Sequence, residues 1–232
     1  MIGIFDSGAG GLAALRKLRA LLPNADICYL ADRKNAPYGT KSQDELRRLV
    51  IRDIRILKRL GATEILSACC TASAVIDAMK SNISDGVTTI IKPTARKAAS
   101  QTKNQKIALL CTYATAKSYA FEREILSANP NIQIKTQPTK KLVELVERGA
   151  RDGRIGKSEL YEIRSELGSL TDFGADTVVL GCTHFSLLKS TISSLLKASF
   201  VSAADEGAEL LAKAAGQIGD SKTVYLCPEK IL

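Results

Sequence analysis

Short apolar runs, each ending in a turn of small residues that leads into an amphipathic stretch, recur along this chain. Runs at residues 1–5, 27–30, 64–68 and 87–91 read as strands, and Leu12, Leu15, Leu18 and Leu22 repeat at helical spacing after the first. Residues 42–60 read as a helix with a basic outer face, stopped by Gly61, and Lys92-Pro93 is expected to break the pattern after the fourth run. Residues 106–110 and 176–180 restart it. Short buried strands alternating with helices imply an α/β protein with parallel sheets.

Two segments share one plan. Ile65-Leu66-Ser67-Ala68-Cys69-Cys70-Thr71 and Val178-Val179-Leu180-Gly181-Cys182-Thr183 each put a cysteine and a threonine at the carboxyl end of a strand, where a helix begins. This internal repeat implies two pseudo-symmetric α/β domains, with no low-complexity linker between them. Ligands of such sheets bind beyond the strands' carboxyl ends, where helix N-termini offer free N–H groups, so the cleft between the domains is the expected active site.

Charge and composition narrow the ligand. Lys and Arg outnumber Asp and Glu by 33 to 24, a net +9 that would suit a nucleic acid or an anionic small molecule. The densest basic stretch is only the outer face of an amphipathic helix, aromatics are 5%, and no nucleic-acid motif is present, which disfavours nucleic acid. No run approaches the roughly 18 apolar residues of a membrane span. The first residues lack a charged leader and cleavage site, so a cytoplasmic location without a membrane partner is expected. Cysteines 28, 69, 70, 111, 182 and 227 contain no CxxC pair, which fits a reducing compartment better than a disulfide framework or zinc site. The loop at residues 6–11 matches neither GxGxxG nor GxxxxGK[ST], against a dinucleotide or Walker-type phosphate site. His184 is the only histidine, which excludes a metal site of several imidazoles.

Cys69 and Cys182 both stand at strand-to-helix turns, where a helix N-terminus can draw a thiol pKa toward neutrality. Two thiols facing each other across a cleft suit inversion at carbon: one thiolate removes a proton and the other thiol returns one to the opposite face.

Four ordered segments carry a resemblance: residues 2–12 (Ile-Gly-Ile-Phe-Asp-Ser-Gly-Ala-Gly-Gly-Leu), Pro37-Tyr38-Gly39-Thr40-Lys41-Ser42, Ala68-Cys69 with Thr71-Ala72-Ser73-Ala74, and Leu180-Gly181-Cys182-Thr183-His184-Phe185. Together they resemble the glutamate racemases of the aspartate/glutamate racemase superfamily, over nearly the whole chain to about Ala214. The resemblance implies a cofactor-independent, metal-free enzyme that interconverts L- and D-glutamate and supplies D-glutamate for peptidoglycan. It makes Cys69 and Cys182 the acid/base pair, with Asp6, Glu147 and His184 assisting the thiols. It assigns the amino acid to Asp6, Ser7, Tyr38, Gly39, Cys70, Thr71, Thr183 and His184. The Cα–H of such a substrate is a very weak acid, so hydroxyls of Ser7, Thr71, Thr115 and Thr183, with backbone N–H groups, are then expected to stabilise charge building on its carboxylate. It also implies a first domain of residues 1–91 plus 200–232 and a second of residues 92–199. The sequence departs from the family's Ala-Cys-Asn-Thr at Cys70, where a thiol replaces an amide that hydrogen-bonds more strongly in both roles. Aspartate or another acidic amino acid stays open as the substrate. So does a catalytically weakened binding protein that turns its basic surface to nucleic acid, and a homodimer stays open as the assembly.

Overall fold

The computed structural model describes residues 1–79, 82–215 and 222–226; Cys227 and the other terminal residues assigned to the first domain lie outside them. Along the chain β1 (Ile2–Asp6) leads to α1 (Leu12–Leu21), β2 (Ile27–Ala31) to α2 (Gln43–Arg59), β3 (Glu64–Ser67) to α3 (Cys70–Ala78) and β4 (Val87–Thr89) to α4 (Ile91–Gln101). Then β5 (Lys106–Cys111) leads to α5 (Tyr113–Ser118) and α6 (Ala120–Ala128), and β6 (Gln133–Pro138) to α7 (Lys141–Glu147) and α8 (Lys157–Thr171). Finally β7 (Thr177–Gly181) leads to α9 (Lys189–Leu195), β8 (Ser199–Ser202) to α10 (Ala203–Ala215), and β9 (Thr223–Leu226) follows.

The strands form two parallel sheets, of order β4-β3-β1-β2-β9 and β6-β5-β7-β8. Strands β1, β2 and β7 are buried at every residue, as continuous apolar runs covered on both faces must be. Helix α2 starts where Ser42 accepts the Glu45 N–H at 3.3 Å and stops at Gly61, whose φ of +88° a side chain would strain. One apolar cluster joins the sheets: Ile4, Tyr29 and Leu66 of the first and Leu109 and Val179 of the second pack with Ala204, Ala208 and Leu211 of α10.

Two sequence expectations are corrected. The fourth strand ends at Thr89, and Lys92-Pro93 lies inside α4. Pro93 is tolerated in the first turn because N–H groups there have no intrahelical partner to lose. Beyond Cys182 a 3-10 helix, Thr183–Leu188, precedes α9. The expected domain boundaries fall inside elements, since Ile91 opens α4 and Phe200 of β8 pairs with Val178 in the second sheet.

In each sheet the chain leaves two adjacent strands in opposite directions, from β1 and β3 in the first and from β5 and β7 in the second. These are the switch points where α/β sheets open a crevice beyond their strand ends. Asp6, Cys69, Thr112 and Cys182 stand at those four ends.

Candidate active site

Cys69 caps the start of α3 and Cys182 the start of the 3-10 helix, both in extended backbone. Each is 6% exposed, and both line one narrow space of about 20 Å³, beside Ser7, Gly39, Cys70, Thr71, Thr183 and His184. The repeat seen in the sequence thus brings one sulfur from each sheet to a common cavity.

Each sulfur has its own polar partners. The Cys69 thiol faces Ser7 Oγ at 4.0 Å; burial and the nearby Asp6 push it up to about 12, against the Ala72 N–H and the Ser7 hydroxyl. Asp6 is fully buried, accepting the Gly8 N–H at 2.7 Å on Oδ1 and the Thr183 hydroxyl at 3.0 Å on Oδ2. Burial raises its carboxyl above the ordinary range even though His184 and these hydrogen bonds oppose it.

Cys182 Sγ lies 3.7 Å from His184 Nδ1, and His184 Nε2 lies 2.6 Å from Glu147 Oε1. Burial disfavours the imidazolium, but the bonds to Cys182 and Glu147 outweigh it and hold His184 well above its ordinary range. The same contact, with His184 as donor, holds Glu147 below the usual carboxylate range. An imidazolium so placed donates one N–H to Glu147 and aims the other at Cys182, a proton reservoir for that sulfur.

The two halves meet closely here. Glu147, the last residue of α7, accepts the Ala9 N–H at 3.2 Å. A Cβ at Gly10 would lie 2.5 Å from His184 Nδ1 and 2.6 Å from Thr183 Oγ1, so only glycine lets the first loop pack on the second sheet's residues.

The expected substrate residues divide into groups. Ser7, Gly39, Cys70, Thr71, Thr183 and His184 reach the cavity wall, whereas Asp6 and Glu147 act from behind, through Thr183 and His184. Thr115 also stands behind the wall: Thr71, Thr112 and Thr115 form a triangle of hydroxyls at 3.0–3.1 Å, and Thr112 and Thr71 reach the cavity. Tyr38 lines the space, but its hydroxyl is engaged by Asp32 and Asp53. Val143 is a wall residue that sequence reasoning missed, and Thr112 is one that it placed in a cleft loop without singling it out. Thr112 caps α5, accepting the Thr115 N–H, and Thr-x-x-Thr after a strand is the signal that marks it. Val143 precedes Glu147 by one helical turn and so shares its face of α7. Among the described residues, no group of three or more His, Cys, Asp or Glu is placed to hold a metal ion, and no helix is long and apolar enough to cross a membrane.

Two parallel sheets, each delivering one buried cysteine to a shared cleft, define the class of protein. A family model described as Asp/Glu/Hydantoin racemase matches residues 11–211, and the chain belongs to that family. It is 35% identical to a glutamate racemase of Geobacter metallireducens over 215 residues, covering 91% of this chain and 78% of the relative. The crystal structure of glutamate racemase isoform RacE1 from Bacillus anthracis superposes with a TM-score of 0.87 at 30% identity, covering 97% of this chain and 86% of that one. A glutamate racemase from Francisella tularensis, solved in complex with D-glutamate, superposes with a TM-score of 0.85 at 25% identity and the same coverage.

Proposed function

We propose that this racemase-family enzyme interconverts L- and D-glutamate in the cytoplasm, by a two-base mechanism on Cys69 and Cys182, supplying D-glutamate for peptidoglycan. The observation that carries the reading is the pairing of two buried cysteines from opposite sheets on one cavity, each with separate proton-handling partners. The related structures named for glutamate racemases, one holding D-glutamate, support the choice of substrate. The described cysteines are all unpaired, which fits a reducing compartment.

In the forward reaction one cysteine, as thiolate, takes the proton from Cα and becomes a thiol. The other thiol gives its proton to the opposite face of Cα and becomes a thiolate, so protons balance and configuration inverts. Cys69, held protonated by burial, is the donor at rest. After the turnover Cys182 holds the proton and Cys69 is the thiolate, the state that runs the reverse reaction; one proton released from Cys182 and one taken up by Cys69 restore the first state, with His184 as the relay beside Cys182. Hydroxyls of Ser7, Thr71, Thr112 and Thr183 and the N–H groups at the start of α3 answer the charge that develops on the substrate carboxylate.

The test is incubation with L-glutamate in D₂O. Deuterium at Cα together with D-glutamate supports the reading, and neither appearing refutes it. L-Aspartate in parallel decides the second reading, which Cys70 on the cavity wall leaves open because a thiol is a weaker hydrogen-bond partner than the amide usual there.

A further inference from the structure

A buried polar cluster lies behind the cavity, on the far side of Tyr38. Asp32 and Asp53 are fully buried, and Tyr38 is 1% exposed. The Tyr38 hydroxyl lies 2.6 Å from Asp32 Oδ2 and 2.8 Å from Asp53 Oδ2. Arg52 reaches both carboxylates: Nη2 lies 2.6 Å from Asp32 Oδ2 and 2.6 Å from Asp53 Oδ1, and Nε 2.9 Å from Asp53 Oδ1. Asn35 donates to Asp32 Oδ1 at 2.9 Å.

A proton count shows what this arrangement requires. The phenol carries one proton yet makes two close oxygen contacts, so it can donate along only one of them. The other contact needs a proton from a carboxyl. Asp32 Oδ2 also accepts from Arg52 and Asp32 Oδ1 from Asn35, while both Arg52 contacts on Asp53 fall on Oδ1; Asp53 Oδ2 meets only Tyr38 and is the oxygen free to carry the proton and donate it. The chain then runs from Asp53 to Tyr38 to Asp32, and one guanidinium balances one carboxylate.

The main chain beside this hydroxyl belongs to the active site. Tyr38 and Gly39 line the cavity, and Gly39 packs on the other sheet's Thr112 so tightly that a Cβ would lie 2.7 Å from Thr112 Cβ. We propose that Asp53 is a positioning residue: through the Tyr38 hydroxyl it holds the Tyr38-Gly39 main chain against Thr112, most firmly when it carries a proton. The inference rests on the racemase reading for its kinetic consequence only.

The clamp is graded by pH. Burial pushes Asp53 up to about 6, with Arg52 opposing and Asp32 reinforcing the shift. Against α2, β1, β2 and α3 place Phe5, Leu30 and Ala72 with the thiols Cys28 and Cys69, which burial pushes up to about 11 and about 12, and the turn Asn82–Ser84 places Ile83; Asp32, Tyr38 and Arg52 are the polar groups that meet Asp53. As pH rises through about 6 the cluster gains a net negative charge and loses one of its two hydrogen bonds through Tyr38.

Two measurements test this. Backbone hydrogen exchange across residues 33–41, corrected for intrinsic rates, is expected to be slow in wild type at pH 5 and in Asp53→Asn at pH 5 and 8. The amide can donate to Tyr38 at either pH. Exchange is expected to be fast in Asp53→Leu. In kinetics with L-glutamate, wild-type KM is expected to rise across pH 6 while Asp53→Asn stays flat. Asp53→Leu raises KM on the order of 10-fold, the worth of one buried hydrogen bond, with kcat within about twofold. Wild-type-like protection in Asp53→Leu, or a wild-type KM step in Asp53→Asn, overturns the clamp. If Asp53→Leu does not fold, equal loss of protection between pH 5 and 8 in wild type and Asp53→Asn overturns it. If no form racemises glutamate, the racemase reading fails while the exchange contrast still decides the clamp.

Discussion

Glu147→Gln removes one charge from the His184 contact and leaves its shape, since the amide oxygen still accepts from Nε2. The carboxylate sits 2.6 Å from the ring nitrogen. Coulomb's law at that distance gives about 6 kcal/mol for an effective dielectric of 20 and about 1.6 kcal/mol for water. The Glu147 side chain is 40% exposed, so solvent screening places the loss near the low end, about 2 kcal/mol or about 30-fold. On the two-base reading the variant is therefore expected to lose about 30-fold in kcat/KM, because the Cys182 thiolate is then stabilised by an imidazolium that holds its proton less well. L- and D-glutamate have equal free energy in water, so the loss must be the same in both directions. The chain's single histidine makes the cause observable: one imidazole resonance titrates by proton NMR, and it is expected to move to lower pH in the variant. The linked stability follows the same sign. A histidine raised in the folded state stabilises fully below its unfolded pKa of about 6.5, and that stability is lost as pH rises through the folded value. Wild-type denaturation midpoints should fall as pH rises above about 6.5, and those of Glu147→Gln should fall less. A His184 resonance that titrates identically in both proteins would refute the reasoning, whatever the rates.

Cys69→Ala and Cys182→Ala are each expected to abolish racemisation, a loss of at least the roughly 10²–10⁴-fold that one positioned proton-transfer group contributes; substantial residual turnover in either rejects the two-base assignment. Gly10→Ala drives a methyl group onto His184 and Thr183, and is expected to cost about 1–3 kcal/mol and lower Tm by several degrees in calorimetry; an unchanged Tm would mean the loop is not pressed against the second sheet. Thr183→Val takes a donor from the buried Asp6 carboxylate and is expected to destabilise by about 1–3 kcal/mol in urea unfolding, with a neutral result showing that Asp6 does not depend on that bond.

The repeated strand-turn-helix pattern was legible because parallel strands covered on both faces leave a plain apolar signature, and β1, β3, β5 and β7 all lie where that signature falls. The cysteine-threonine repeat was legible for the same reason: it occupies equivalent strand ends in two sheets. Sequence position could not show which way a side chain turns. Tyr38 sits in the loop that reaches the cavity, yet its hydroxyl points to Asp32 and Asp53, the latter brought from helix α2, 15 residues on. Thr115 lies in the right loop but one layer behind Thr71 and Thr112. Such distinctions depend on contacts between distant segments. The misread Pro93 has a local cause, since the first turn of a helix and the end of a strand tolerate proline equally well.

The hydrogen bonds around the two cysteines cross the cleft rather than lying on either side of it. Asp6 from the end of β1 is held by Thr183 from beyond β7, and Glu147 from α7 is held by the Ala9 N–H of the first loop. On the racemase reading the two halves part to admit the amino acid, since a space of about 20 Å³ has room for little more than a water molecule. Parting them removes the Thr183 hydroxyl from Asp6 and the Ala9 N–H from Glu147, and carries Cys182 away from Cys69. On that reading the site is therefore complete only when the halves are together as they are here. Gly10 permits that closure because any side chain there would meet His184 first. Closure also excludes the water that would otherwise screen the charges around Cα and weaken each hydrogen bond to the reacting carboxylate. A substitution at this contact should thus slow proton transfer even where it touches neither cysteine, because what it disturbs is the assembly of the site.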